Sequence, residues 1–379
     1  MKKFYLFLFI LTALFATNLS VAQNSVAFLF KADSSTITNN RCIIDTPHTN
    51  SKDMVYPIFT HNYNPGGAPA GLYVNQVQGL YYHANTWRIF NQNLSAFTPN
   101  SAYNVLVPSA DMLSWEHEAT NANISFNQTE IDHPAINGDS NAVVLVSHMW
   151  KGKYSDKVIG VFYKHSTNKW NIFFEEGTQT PMEENLKFNV VIAKNKPNYK
   201  AMQVKANVSN TVGHIMKIDH PDLNANPDAF VFVTQNYNVG GGTGKYNNHN
   251  IGVYYNGVNW TVYNEDFAPI PEGAGFNLIF FHNKNISISE NRLNDNEVKI
   301  FPNPVEANSK VTLRLENSTL GHVNVKLYDM SGVCVLNTLL ESNSNSLNAE
   351  FSIPELNRGI YVVQVENNGR VGTQKLYIR

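Results

Sequence analysis

The chain has 379 residues, too many for one ordinary hydrophobic core, and a formal charge of -2 with charged residues at only 15%, against about 25% in a typical soluble domain. With no basic tract, counterion release has nothing to start from, which excludes nucleic acid and anionic membrane as partners. Abundant Asn, Tyr and Phe favour extended, aromatic-rich structure over helices.

The chain starts MKKFYLFLFILTALFATNLSVAQ: Lys2 and Lys3, an apolar run from Phe4 to Ala16, then small residues at Ser20 and Ala22. This order predicts a secretory leader over residues 1–22, cut after Ala22. The apolar run is about 13 residues where a span needs about 20, and no later stretch is longer, so the mature chain is expected to carry no membrane span. Cys42 and Cys334 lie 292 positions apart and are expected as free thiols.

The stretch that follows repeats three times at a step of 87 residues. Asp45, Asp132 and Asp219 mark the step, as do Pro47, Pro134 and Pro221, and Asn50, Asn137 and Asn224. The units are expected at about 28–114, 115–201 and 202–288, within an ectodomain of 23–288. The register runs on through Thr60, Ser147 and Thr234, then Tyr63, Trp150 and Tyr237, and slips. The next shared glycines, Gly79, Gly160 and Gly252, come 16, 10 and 15 residues later, so a loop tolerant of insertion lies between. Order returns at Trp87, Trp170 and Trp260 and at Asn104, Asn189 and Asn277.

Within a unit apolar residues alternate with period two between turn residues. In the third copy Ala229–Thr234, Ile251–Tyr255, Trp260–Tyr263 and Gly275–Phe280 read as strands, giving four or five per unit. Asn256-Gly257 predicts a tight hairpin with positive φ at both residues, and each repeated aspartate a strand-ending Asx turn. No stretch has helical periodicity. The fold class is therefore all-β: three tandem β-rich repeats of about 87 residues, either separate small sandwiches or, the preferred arrangement given the short linkers, sharing one core about a pseudo-threefold axis, then a small C-terminal Ig-like β-sandwich. Trp115, Ile124 and Phe126 lie in a segment expected to pair across a copy boundary.

The motifs IDHPDLN, VTQNYN, IGVYY, NWTVYNED and GAGFN of the third copy resemble an uncharacterised family of bacterial secreted and surface proteins, a domain of unknown function. The resemblance covers about 260 residues over the three copies and implies the architecture; it brings no activity.

Chemistry that needs one asymmetric site is poorly served by repetition. Glu265 and Asp266 match Glu175 and Glu176 but meet Gln92 and Asn93 in the first copy, so paired carboxylates exist in two units at most. No HxH or HExxH spacing gathers metal ligands, so no metal site or cofactor is expected. The loop Gly240–Lys245 lacks the first glycine and the Ser/Thr of a phosphate-binding loop, and no GxSxG occurs. No catalytic residue is assigned. The aromatics remain. Trp87, Trp170 and Trp260 start the same strand in each copy and read as core. Tyr63, Trp150 and Tyr237 end another strand and are the candidate binding residues, as core filling or, with Asn62 and Asn236 beside them, as stacking platforms for sugar rings.

Residues 289–297 read as a polar linker. Beyond it, VKIFPNP, YDMSG and LNRGIY, ending at QKLYIR, resemble the type A C-terminal sorting domain of the type IX secretion system, over 298–379. The resemblance implies export by the leader, folding in the periplasm, and transfer across the outer membrane through the secretion machinery. In that family the domain is typically removed, and the cargo is attached to surface lipopolysaccharide or released. The expected protein is thus a secreted or surface-attached cargo whose ectodomain is a non-catalytic binding or adhesion module for glycans or other surface ligands, protein included. The alternatives are an extracellular hydrolase of polysaccharide or peptide, using Glu265 or Asp266, and a structural surface component.

Overall fold

In a computed structural model, residues 25–282 are described apart from 69 and 179, as are residue 293 and residues 297–379 apart from 317, 319, 331, 368 and 369. The leader, 1–22, and most of the linker, 289–297, lie outside the described residues.

Each copy forms seven strands, not four or five. Copy 1 has β1 (Val26–Lys31), β2 (Ile37–Thr38), β3 (Arg41–Ile44), β4 (Ile58–Asn62), β5 (Gln78–His83), β6 (Thr86–Asn91) and β7 (Ala102–Val107). Copy 2 repeats these as β8 (Leu113–Glu118), β9 (Ile124–Ser125), β10 (Gln128–Ile131), β11 (Val143–Met149), β12 (Ile159–Lys164), β13 (Lys169–Phe174) and β14 (Lys187–Ala193). Copy 3 has β15 (Tyr199–Lys205), β16 (Thr211–Val212), β17 (Ile215–Lys217), β18 (Phe230–Asn236), β19 (Ile251–Tyr255), β20 (Trp260–Asn264) and β21 (Gly275–Phe281). The additional strands are those too short to show a period, and those such as LSWEHE whose outer positions are polar and half-buried.

No copy owns a sheet. Three seven-stranded sheets run β1-β7-β4-β19-β20-β17-β16, β2-β3-β6-β5-β11-β14-β8 and β15-β21-β18-β12-β13-β10-β9, so each combines strands of two copies and the ring closes on itself. Within a copy the pairing is antiparallel. Between copies it is a short parallel contact, with His61 opposite Gly252, His148 opposite Gly79 and Gln235 opposite Gly160. The expected pairing across a boundary through Trp115 does not occur: β8 pairs with β14 of its own copy, and Phe126 sits 76% exposed at positive φ in a turn.

Period two in the central strands has a physical cause, because both faces are buried against different cores. On β11, Val144 and Val146 enter the core of copy 2 while Val143 and Leu145 enter a fourth core on the axis, shared with Ile58 and Leu106 of copy 1 and Phe232 and Ile279 of copy 3. The shared core is therefore present, with a private core in each copy besides it. Trp87, Trp170 and Trp260 are fully buried in the private cores, and each indole N–H donates to a backbone carbonyl, at Lys52, Asp139 and Asn226 (2.8–2.9 Å). Large buried aromatics of this kind each contribute about 3–5 kcal/mol when truncation to Ala is the reference.

The repeated asparagines tie the copies together. Asn104 donates to the Val231 carbonyl (3.0 Å), Asn189 to Pro57 (2.9 Å) and Asn277 to Val144 (3.0 Å), each reaching from one copy to the next. Asn62 and Asn236 in turn donate to the side-chain oxygens of Asn104 and Asn277 (2.9 and 2.8 Å). In copy 2 that position is Met149, and the Asn189 side-chain oxygen has no partner within the protein.

The repeated aspartates serve turns through a longer reach than a simple Asx turn. Asn50, Asn137 and Asn224 each donate to the aspartate five residues earlier (2.6, 2.7 and 2.8 Å). The Asn256-Gly257 hairpin is also wider than expected. Tyr255 pairs with Trp260, only Gly257 has positive φ, and the Asn256 side chain accepts the Val258 and Asn259 amides. Cys42 is buried and Cys334 exposed, both free. The C-terminal region packs a three-stranded and a four-stranded antiparallel sheet around Val311, Leu313, Val325 and Val363, a small β-sandwich. No helix of the described residues is long and apolar enough to cross a membrane.

Candidate functional site

Tyr63, Trp150 and Tyr237 stand where a strand of one copy leaves the sheet of its neighbour. Their amides make the last cross-copy bond, to the carbonyls of Val253, Leu80 and Val161 (3.0, 2.8 and 2.9 Å). None is core: all three are half-buried on the outer face of a junction. Each belongs to a closed cycle of four rings. At the junction of copies 1 and 2 the cycle is Tyr81, Phe90, Tyr154 and Trp150, with centroids 5.6–5.8 Å apart. Phe162, Phe173, Tyr246 and Tyr237 repeat it between copies 2 and 3 (4.8–6.3 Å). Tyr254, Tyr263, Tyr73 and Tyr63 repeat it between copies 3 and 1 (4.8–6.0 Å). One tyrosine of each cycle faces solvent: Tyr154 is 46% exposed, Tyr246 41% and Tyr73 40%.

The insertion-tolerant loops decide how open each cycle is. Those of copies 1 and 3 lie against the rings, and a Cβ on Gly71 or Gly244 would collide with Tyr63 or Tyr237. The shorter loop of copy 2 leaves a cleft of about 80 Å³ lined by Asn40, Arg41, Tyr81, Phe90, Trp150 and Tyr154.

The same fold unit recurs in other sequences. The profile of the domain of unknown function DUF7452 matches residues 12–107, 79–192 and 160–280. The chain belongs to the DUF7452 family. The secretion-system C-terminal sorting domain matches residues 299–379, which makes the chain a cargo of the type IX secretion system, sent to the cell surface or beyond it. No curated protein matches. Among solved structures, a biofilm-associated protein BSP domain is 12% identical, over 94% of this chain and 82% of that one, with a TM-score of 0.20. A Faecalibacterium prausnitzii beta-glucuronidase is 11% identical (71% and 37% covered, TM-score 0.17), and a Salmonella alpha-2-macroglobulin 8% identical (95% and 26% covered, TM-score 0.22).

Under the aromatic cycles, the DUF7452 copies bury a second repeated set. Glu265 is 2% exposed with both oxygens engaged: Oε1 accepts from His61 Nδ1 (2.6 Å) and the Tyr263 hydroxyl (2.9 Å), and Oε2 accepts the Val74 amide (2.8 Å). Burial and the neighbouring carboxylate hold the Tyr263 phenol well above its ordinary range. Glu175 accepts the Asn247 amide (2.9 Å) and Gln92 the Ser155 amide (3.1 Å). Each therefore holds the insertion loop of the next copy. Gly252, Gly160 and Gly79 are glycine because a Cβ would meet these very side chains, at 2.7, 2.5 and 2.8 Å. Asp266, the other acid of the hydrolase alternative, is exposed and accepts from His249 (2.7 Å).

Where the three copies meet lies a pocket of about 120 Å³, lined among others by Thr60, Ser147 and Thr234 and by His61, His148 and Gln235. His61 Nε2 and Gln235 Oε1 have no partner within the protein there. The volume leaves room for water beside these two atoms. Thr60 and Thr234 accept the Val233 and Val146 amides (3.1 and 3.0 Å), so the hydroxyl positions of the repeat also join copies. Burial pushes His148 down to about 4, a neutral ring whose Nε2 meets the Lys157 carbonyl (2.9 Å). Among the described residues no group of three His, Cys, Asp or Glu is placed to hold a metal ion.

Proposed function

We propose that this type IX cargo is exported by a leader over residues 1–22, passes through the periplasm, and presents an ectodomain of residues 23–288 that binds glycans without chemistry. Residues 289–297 then serve as linker and 298–379 as the address. The observation that carries the binding reading is the fourfold aromatic cycle, built three times, with a tyrosine of each exposed and Tyr63, Trp150 or Tyr237 beneath it. Ring faces pack on the apolar CH faces of sugars, and neighbouring amides such as Asn40 bond hydroxyls without charge. Three weak sites on one rigid frame gain by avidity on a repeating polymer.

Glu265 gives the hydrolase alternative little to work with, since three donors already occupy its oxygens. A glycan-array screen of the purified chain, beside Trp150→Ala and the Tyr73, Tyr154 and Tyr246 alanine triple variant, tests the proposal. Specific binding that the folded variants lose supports it; a chain that binds no glycan overturns it. Deletion of residues 298–379 is expected to leave the protein in the periplasm, and surface display of that truncation refutes the proposed route.

A further inference from the structure

The three junctions share their rings but not their charges. Residues 23–288 contain two arginines, Arg41 and Arg88, and both lie on the outer face of the same junction. Arg41 is opposite Phe90 on paired strands, and Arg88 is opposite Tyr81. The equivalent positions are Gln128 and Asn171 at one other junction and Ile215 and Thr261 at the third. Arg88 is anchored, its guanidinium 5.5 Å from the Tyr81 ring centre and donating to the Tyr81 hydroxyl (3.3 Å). Arg41 lines the cleft beside Trp150 and Tyr154. Among the described residues neither arginine pairs with a carboxylate. The lysines nearby in sequence are already paired, Lys151 with Glu116 (2.6 Å) and Lys153 with Glu183 (2.7 Å). The Trp150 indole N–H is buried without a partner in the protein, unlike those of Trp87, Trp170 and Trp260.

A half-buried guanidinium without an acid is poorly compensated, and its planar fork matches carboxylate and sulfate oxygens. A buried indole N–H likewise lacks an acceptor. A neutral sugar would meet the rings and offer hydroxyl oxygens to the donors, but would leave the guanidinium charge uncompensated. A sugar carrying an anion would satisfy all three. Resting on the glycan reading above, we propose that the Trp150 cleft binds an acidic saccharide, its ring against Trp150 and Tyr154 and its carboxylate or sulfate on Arg41. The shared chemistry is one anionic group on a pyranose ring, whether uronate or sulfate ester.

Calorimetric titration of the purified full chain with an oligouronate, the same oligomer as its methyl ester, and a sulfated neutral oligomer tests this. Charge-assisted hydrogen bonds of about 1.5–3 kcal/mol set the expected preference at about tenfold or more for the oligouronate, the sulfated oligomer or both over the ester. That preference is expected to shrink as salt rises. Arg41→Gln is expected to bring acid and ester within about twofold and leave the ester unchanged. In the spectrum of the indole N–H groups, Trp150 is expected to shift on binding while Trp87, Trp170 and Trp260 stay. Equal affinity for all three oligomers overturns the acidic site and leaves the glycan reading standing, as does a preference that Arg41→Gln does not move. Failure to bind any of them, with the fold verified by its melting curve, overturns both. Arginine-dependent binding of an oligoglutamate as tight as that of the oligouronate overturns the saccharide.

Discussion

Two junctions of this molecule carry the same carboxylate in opposite circumstances. Between copies 3 and 1, Glu265 is met by His61, the Tyr263 hydroxyl and the Val74 amide. Between copies 2 and 3, Glu175 has the Asn247 amide but Gln235 where the histidine would be, and burial pushes its carboxyl up to about 8. The third junction shows what the position is for. There Gln92, with no charge at all, accepts the Ser155 amide in the same way. The common element is an oxygen that takes one loop amide; the acid and its histidine are local solutions to burying it. Repetition therefore separates the structural task, present three times, from the side chain that performs it, which differs each time.

The largest expected effect breaks the paired junction. Glu265→Leu removes the acceptor for three donors and leaves buried polar groups unpaired, expected to cost about 3–5 kcal/mol. Gln92→Leu at the neutral junction orphans the Ser155 amide and should cost about 1–3 kcal/mol. Urea unfolding of both variants checks the order; equal losses would mean the ion pair adds nothing beyond the loop clamp. The axial asparagines sharpen the comparison on a smaller scale. Asn277 both donates to Val144 and accepts from Asn236, whereas the Asn189 oxygen has no partner in the protein. Asn277→Leu is expected to cost about 2–3 kcal/mol and Asn189→Leu about 1 kcal/mol, read by the same unfolding curves.

Glu175 carries a pH dependence. Its folded pKa of about 8 lies above the unfolded value of 4.5, so the folded state holds the proton more tightly. The associated stability is fully present below about pH 4.5 and is lost as pH rises toward 8, because the unfolded chain ionises first. Glu175→Gln copies the residue already used at Gln92 and removes the ionisation. The variant is expected to gain up to about 4 kcal/mol over the parent at pH 8 and nothing at pH 4.5, with a flatter Tm against pH. A parallel Tm profile for both proteins would place the proton elsewhere.

How far the sequence reveals this arrangement depends on what each residue's signal measures. The step of 87 located Asp45 and Asn50, and the order beyond the slip located the glycines and Asn104, because turns, close approaches and cross-copy bonds each demand one residue type in every copy. The fully buried Trp87 set was legible for the same reason. Sheet membership was not, since alternation says only that both faces of β11 are occupied, not that one faces a private core and the other the axis. Nor was the burial of Glu265 and Glu175. A carboxylate after a strand looks like a solvated turn acid until the glycine on the adjacent strand is seen to make room for it. Tyr63, Trp150 and Tyr237 were found as a set, but their half-burial depends on loop length, and loops are where the register slips.

The smallest expected change in stability tests whether the open junction differs in use as well as in shape. Tyr154 is 46% exposed and packs against Trp150, ring centroids 5.7 Å apart. Removing an exposed ring that fills no core should cost under about 0.5 kcal/mol. Tyr154→Ala is therefore expected to unfold with the parent while its affinity for the best array glycan falls about tenfold, the loss of one ring contact of about 1.5 kcal/mol. Tyr246→Ala, at a cycle covered by the loop that rests on Tyr237, removes an equal ring from a closed junction and should change affinity less than threefold. The pair is decisive because the two rings match in exposure and in partners and differ in the loop above them. Equal losses from both variants would show that ring number, and not the cleft left by the short loop of copy 2, sets the binding.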